Sequence, residues 1–196
     1  NGQAIGYFKN ILQEMKNCGY QVKCGVLNAK HLGVPQNRER AIFIGIRNDL
    51  NKQPVFPTVH KQKYVVKDAI TNLEPIENKN SYFFSQNTKT YKLWENTPQG
   101  AKFDQANKKL FNATGCYTQQ KLSKFKVCPA ITTSQDLFHW EEPRRISVEE
   151  AKRFASIPQD FILTGGISKQ WERIGRCVPP FMMKEIATAV SNTLKS

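Results

Sequence analysis

The sequence has no Cys-x-x-Cys pair, and its three histidines, His31, His60 and His139, lack the i, i+4 spacing of a helical metal site, so no structural zinc is expected. Five cysteines, an odd number at irregular spacing, make no disulfide framework and fit a reducing compartment. No apolar run approaches the roughly 20 residues of a membrane span, and no signal peptide opens the chain. A soluble, cytoplasmic setting without a membrane partner is therefore the expectation. Gly165 and Gly166 lack the lysine and spacing of a phosphate loop, and no Gly-x-Ser-x-Gly elbow is present. Arginine is also missing from a long stretch: Lys61 to Lys126 holds twelve lysines and five acids and no arginine.

What is present is charge of one sign. Lys and Arg number 29 against 16 Asp and Glu, giving a net charge of +13. Such a field favours a polyanion, and nucleic acid before membrane, because no basic amphipathic helix has a clean apolar face. A solubilising lysine-rich surface is the plainer alternative. The eight arginines fall into two windows, Arg38, Arg40 and Arg47, then Arg144, Arg145, Arg153, Arg173 and Arg176. Arginine offers a planar fork where lysine is a point charge, so this confinement points to geometric use. At 196 residues with 39% hydrophobic content, the chain can bury the core of one ordinary domain or two small ones.

Periodicity supplies the outline. Ile5, Phe8, Leu12 and Met15 share a stripe, which predicts a helix over residues 3–18 with Gly19 beyond its end. Tyr20, Val22, Cys24 and Val26 alternate as a strand, and Ala41 to Arg47 form a second apolar one. The connection from Asn28 to Arg40 is long for a hairpin, as functional loops often are. Arg38 and Arg40, two apart on an extended segment, should project to one side with Glu39 opposite. Either they serve a site held by the buried strand, or they form a surface Arg–Glu turn. From Asn48 the chain turns polar, and Tyr64 to Leu73 suggests a strand end passing into a short helix. Phe83, Phe84, Tyr91, Trp94, Phe103, Phe111, Tyr117 and Phe125 are scattered, as the core of a small irregular domain or as a nucleic-acid face. Ser147 and Glu150 form a capping box ahead of a helix over Val148 to Ser156. Ser168 to Ile174 reads as a helix closed by Gly175. Pro180 starts a last helix with Met182 or Met183, Ile186, Val190 and Leu194 on its core stripe.

Three segments carry a resemblance. GVPQNRER within residues 19–47, CPAITTSQ followed by HWEEPRRISVEEAKRFASIPQDF, and QWERIGRCVPPFMMKEIATAV are similar, in order, to signature segments of DNA cytosine-5 methyltransferases. They resemble the Gln-x-Arg-x-Arg signature, the Pro-Thr-Ile and Arg-x-Leu-Thr-x-x-Glu segments, and the closing Gly-Asn-x-Val-Pro segment. The resemblance implies an α/β fold: the C-terminal edge of a Rossmann-like methyltransferase sheet plus a small irregular α+β target-recognition domain. It implies a catalytic part at 1–60, a recognition domain at 61–165 and a returning segment at 166–196.

The implied activity is methyl transfer from S-adenosylmethionine to C5 of a flipped cytosine in double-stranded DNA, within restriction-modification. Arg38 and Arg40 would support catalysis. Gln36, Arg38, Arg40, Lys121, Lys124 and Arg144 would face DNA, and Arg176, Cys177 and Val178 would line the cofactor, with Arg176 where the family usually has asparagine. The family's Pro-Cys-Gln, Glu-Asn-Val and Phe-x-Gly-x-Gly motifs are absent, and Cys128 precedes a proline rather than following one. The expectation is a C-terminal half, inactive without an N-terminal catalytic half in cis or in trans and prone to homodimerise when isolated. A split subunit, an excised piece and a truncated gene all fit. A non-catalytic DNA-binding relic or regulatory subunit, or an RNA-directed member of the family, is the alternative.

Overall fold

A computed structural model of the chain describes residues 2–61, 64–73 and 79–196, without the side chains of 2–5 and 79. The expected contribution of the Ile5 side chain to the first stripe, and Lys63 of the lysine-rich stretch, lie outside the described residues. Helix α1 (Gly2–Asn17) runs into β1 (Tyr20–Asn28) and β2 (Glu39–Arg47). Gly19 has φ 85° and takes the left-handed position that a helix end asks of its next residue. β1 and β2 form an antiparallel hairpin in unbroken register from Tyr20 opposite Arg47 to Asn28 opposite Glu39. Phe8 of α1 packs on Phe43 of β2 with ring centroids 5.1 Å apart.

After the hairpin come α2 (Val66–Ile70), α3 (Lys89–Glu95) and α4 (Asp104–Phe111). The expected strand end at Tyr64 and Val65 is not formed; those residues are irregular and lead directly into α2. Two short strands, β3 (Gln120–Lys121) and β4 (Leu137–Phe138), pair in parallel. The chain closes with α5 (Val148–Phe154), α6 (Ile167–Arg176) and α7 (Pro180–Lys195), with Pro180 in the first turn of α7, where its missing N–H costs nothing. Among the described residues no helix is long and apolar enough to cross a membrane.

Three apolar clusters hold these elements. Ala29, Leu32, Val34 and Ile44 of the hairpin and its loop enclose Met182 and Ile186 of α7. A larger cluster joins Val66, Leu122, Ile131 and Ile146 to Ala151 and Phe154 of α5 and to Trp171 and Ile174 of α6. A third gathers Leu93, Trp94, Phe103, Ala106 and Phe138. The last two helices therefore serve different cores: α6 belongs with the middle of the chain and α7 with the hairpin. Of the scattered aromatics, Trp94 and Phe103 are core, while Phe83, Phe111, Tyr117 and Phe125 lie at the surface.

The cap of α5 is the electrostatic centre of the middle region. Ser147 accepts from the Glu150 N–H at 3.1 Å, and Glu150 accepts from the Ser147 N–H at 2.8 Å. Glu150 also takes a two-pronged contact from the Arg144 guanidinium at 2.7 and 2.8 Å, with both side chains buried. Burial opposes the Arg144 charge, but Glu150 and Glu142 outweigh it and its pKa rises.

His139 stacks on Trp140, and its Nδ1 accepts from the backbone N–H groups of Glu141 and Glu142. Burial first, then the Arg144 charge, pushes its pKa down to about 4, against weaker pulls from Glu150, Glu142 and Glu141. The folded state thus prefers neutral imidazole. The stabilisation is fully present above pH 6.5, the ordinary histidine value, and drains away as pH falls toward 4. Urea unfolding at pH 7.5 and at pH 5 should differ by about 2 kcal/mol from this group alone. His139→Asn keeps an acceptor and removes the titration, so its loss over the same interval should be smaller by that amount; an identical pH profile would refute the assignment.

Candidate functional site

The hairpin ends in a loop whose apolar residues are anchored and whose polar ones are aimed. Asn28 closes β1, accepts from Lys30 N–H at 3.2 Å and donates to Asn37 Oδ1 at 2.7 Å. The Ala29 N–H donates to the Arg38 carbonyl at 2.9 Å. Leu32, Val34 and Pro35 are buried, so the loop returns rigidly to β2. Pro35 to Asn37 then run beside Cys128: Asn37 N–H donates to the Cys128 carbonyl at 2.7 Å, and Cys128 N–H to the Pro35 carbonyl at 3.1 Å. The first two signature segments are thereby laced together through their backbones.

Arg38 adds the third. Its side chain is only 2% exposed. One terminal nitrogen donates to the Ile131 carbonyl at 2.8 Å and the other to the Gly175 carbonyl at 2.6 Å. Trp171 of α6 reaches the same loop, its Nε1 donating to the Ser134 carbonyl at 2.8 Å. Gly175 makes this approach feasible in a way the sequence concealed. It was expected to close α6, yet it lies inside the helix, at a point where a Cβ would overlap the Thr132 carbonyl.

Arg40 stands beside this clamp with a different exposure. It is half-buried, donates one N–H to the Glu39 carbonyl at 2.7 Å, and lies close enough to Arg38 for their charges to repel. Burial first, then Arg40, lowers the Arg38 pKa. Among the described residues no carboxylate forms an ion pair with either guanidinium. Two adjacent, partly desolvated and unneutralised cations make a local demand for an anion. Cys177 adjoins both; burial raises its thiol pKa, and the two arginines oppose that rise.

The other expected site residues separate by placement. Gln36 is buried at the seam, and neither amide atom has a hydrogen-bond partner among the described residues. Lys121 turns inward, its Nζ donating to the Trp94 carbonyl at 3.0 Å and lying 4.0 Å from the centre of that indole. Burial lowers its pKa. Arg144 is committed to Glu150 and Glu142. These two cations build the scaffold rather than its outer face. Lys124 is partly exposed and paired with Glu141 at 2.9 Å. Arg176 is exposed and pairs with Glu172 one helical turn back at 2.7 Å, leaving half-buried Cys177 and exposed Val178 as the accessible part of that segment. The Cys128 thiol is wholly buried, which raises its pKa far above the ordinary value and leaves it without nucleophilic character. Sequence reasoning missed Ile131, Trp171 and Gly175 as partners of the site. The triplet Ile-Thr-Thr beside a helical glycine was the available signal.

The comparisons with known proteins agree with this convergence. The family model for C-5 cytosine-specific DNA methylase matches residues 3–192. The type II methyltransferase M1.HphI of Haemophilus parahaemolyticus is 30% identical over 189 residues, which cover 92% of this chain and 50% of that protein. M.BspRI of Lysinibacillus sphaericus is 28% identical over 208 residues, covering 94% of this chain and 46% of that protein. The chain thus spans about half the length of these curated relatives. In fold it resembles a prophage-encoded protein of E. coli assigned to the DNA modification methyltransferases, with a TM-score of 0.66, 23% identity, and coverage of 96% of this chain and 65% of that one. It likewise resembles the Entamoeba histolytica methyltransferase EhMeth, with a TM-score of 0.64, 14% identity, and coverage of 96% and 59%. With its three signature segments joined at Arg38 and a family match running almost from end to end, the chain belongs to the C-5 cytosine-specific DNA methylases.

Proposed function

We propose that this chain forms the DNA-facing, C-terminal part of a DNA cytosine-5 methyltransferase of restriction-modification type, with a complementary segment or subunit supplying the nucleophile. The carrying observation is the unneutralised pair: Arg38 fixed on two backbone carbonyls, with Arg40 beside it and open to solvent on one side. In this reading Arg38 is a positioning residue that fixes the arc on which Arg40 stands. Arg40 presents a preset fork to the extruded nucleotide or its flanking phosphate, so little reorganisation is needed when negative charge arrives. The division into a catalytic part, a recognition domain and a returning segment belongs to the same proposal, with the return to the catalytic part made by α7.

S-adenosylmethionine is the donor the family implies. The segment Arg176 to Val178 suits only one wall of its site, since Arg176 is turned onto Glu172 and the chain has no Phe-x-Gly-x-Gly turn. The remaining walls, like the Pro-Cys-Gln cysteine, belong to the complementary part.

The test is transfer of labelled methyl groups to mixed-sequence duplex DNA, by the chain alone and with the complementary half supplied in cis or in trans. Transfer is expected only in the second case. Arg40→Ala should lower it by about 100-fold or more, the usual scale for losing one preset charge-stabilising donor. Transfer by the chain alone, or full activity of Arg40→Ala in the completed enzyme, would overturn the reading.

A further inference from the structure

The loop that follows α4 is held in a costly shape. Asn112, Gly115 and Cys116 have φ of 48°, 113° and 61°; Asn112 is the left-handed cap of α4, a place asparagine takes readily, and Cys116 is the costly one. A residue such as cysteine keeps that angle only where its surroundings over-determine it. Here the surroundings are specific. Asn107, 1% exposed, donates from Nδ2 to the Ala113 carbonyl at 3.0 Å and the Thr114 carbonyl at 3.2 Å. Cys116 packs against the cluster of Phe103 and Phe138. The far end is tied where Phe103 N–H donates to the Gln119 carbonyl at 3.0 Å.

What this rigid frame displays is not apolar core. Thr114 and Thr118 are exposed, and Tyr117 is 59% exposed. Phe111 lies at the adjoining helix end with Lys89 Nζ 4.9 Å from its ring. Lys108 and Lys109, both exposed, occupy the last turn of α4. The arrangement is a stiff tip carrying a phenol ring and two threonine hydroxyls, flanked by flexible cations. That division suits duplex DNA, where lysines hold phosphates and position the protein while a fixed tip carrying hydrogen-bonding and apolar groups reads base edges.

We propose that the 112–119 loop is the sequence-reading element of this chain, with Tyr117 and Thr118 contacting bases and Lys108 and Lys109 the adjoining phosphates. The inference rests on the DNA-methyltransferase reading above and deepens it. Asn107 acts as a positioning residue that sets the loop's shape. Lysines elsewhere in the region contribute charge without this framing.

The experiment incubates the full chain with a library of randomised duplexes, sequences the bound fraction and measures binding to unselected duplex at two salt concentrations. The wild type is expected to enrich a short site. Tyr117→Ala, a surface change that spares the core, should lose enrichment at one or two base positions by roughly tenfold or more, the scale of one good base contact. Its binding to unselected duplex should be nearly unchanged. The Lys108→Ala/Lys109→Ala pair should instead weaken binding to all sequences and flatten the salt dependence. The same enriched site at the same ratio in Tyr117→Ala would overturn the loop proposal while leaving DNA binding intact. A wild type that binds duplex without enriching any sequence would also overturn it. A wild type that binds no duplex at either salt would overturn both this proposal and the function on which it rests, and would turn attention to a protein partner for the same tip.

Discussion

Arg38→Ala is expected to lower the stability of the chain by about 4 kcal/mol, from two charge-assisted hydrogen bonds and two backbone carbonyls left without partners. Arg40→Ala, two residues away, should stay within about 0.5 kcal/mol of wild type, because its one bond is to an adjacent, solvent-exposed carbonyl. The contrast separates a clamp from a contact. Arg38→Lys should recover little, since one ammonium on a flexible stem does not reproduce a fork that spans the Ile131 and Gly175 carbonyls. Urea midpoints with unchanged slopes would measure it. Equal midpoints for Arg38→Ala and wild type would refute the clamp.

The second large effect belongs to Glu150, and Glu150→Ala should cost about 4 kcal/mol. Most of that is the penalty of leaving buried Arg144 under-neutralised, with its two bonds to Glu150 gone and Glu142, on the Nε side, as its remaining carboxylate partner. Removing the carboxylate also leaves the Ser147 N–H without its acceptor. Glu150→Gln keeps an acceptor for that group and should lose less. The decisive comparison is Arg144→Met/Glu150→Leu. With both charges gone and apolar volume kept, the double variant should be more stable than Glu150→Ala, although it has lost more hydrogen bonds. If it is less stable, the pair contributes net attraction and the stranded-charge account fails.

Local chemistry was legible in the sequence, and long-range commitment was not. The Ser147/Glu150 box, Pro180 at the start of α7, Gly19 beyond α1 and the two strands of the hairpin all appear where the residues direct, because each depends on neighbours within a few positions, although Val26, expected on the alternating stripe of β1, is 67% exposed. Gln36, Arg38 and Arg40 were visible as a motif, but the difference between the two arginines was not. Arg38 meets carbonyls 93 and 137 positions away, and no pattern around residue 38 encodes their approach. Lys121 looked like a surface cation and is an indole-capping one, because β3 carries it under Trp94. Gly175 looked like a helix stop because glycine is more often needed for its φ than for room. At this position room decides, as the Thr132 carbonyl occupies the space a side chain would take.

The separation of the clamp's partners also sets when it forms. Closing loops of such length costs chain entropy that local helices and the hairpin do not pay, so α1 with β1 and β2, and the capped α5, should be in place before Arg38 finds its carbonyls. A contact made after the rate-limiting barrier stabilises the native state without stabilising the transition state. Disrupting it should therefore leave refolding at nearly its usual speed and hasten unfolding. The residue that gathers the three signature segments would then act as a latch on the finished fold, governing how long the assembled state survives more than how quickly it is reached.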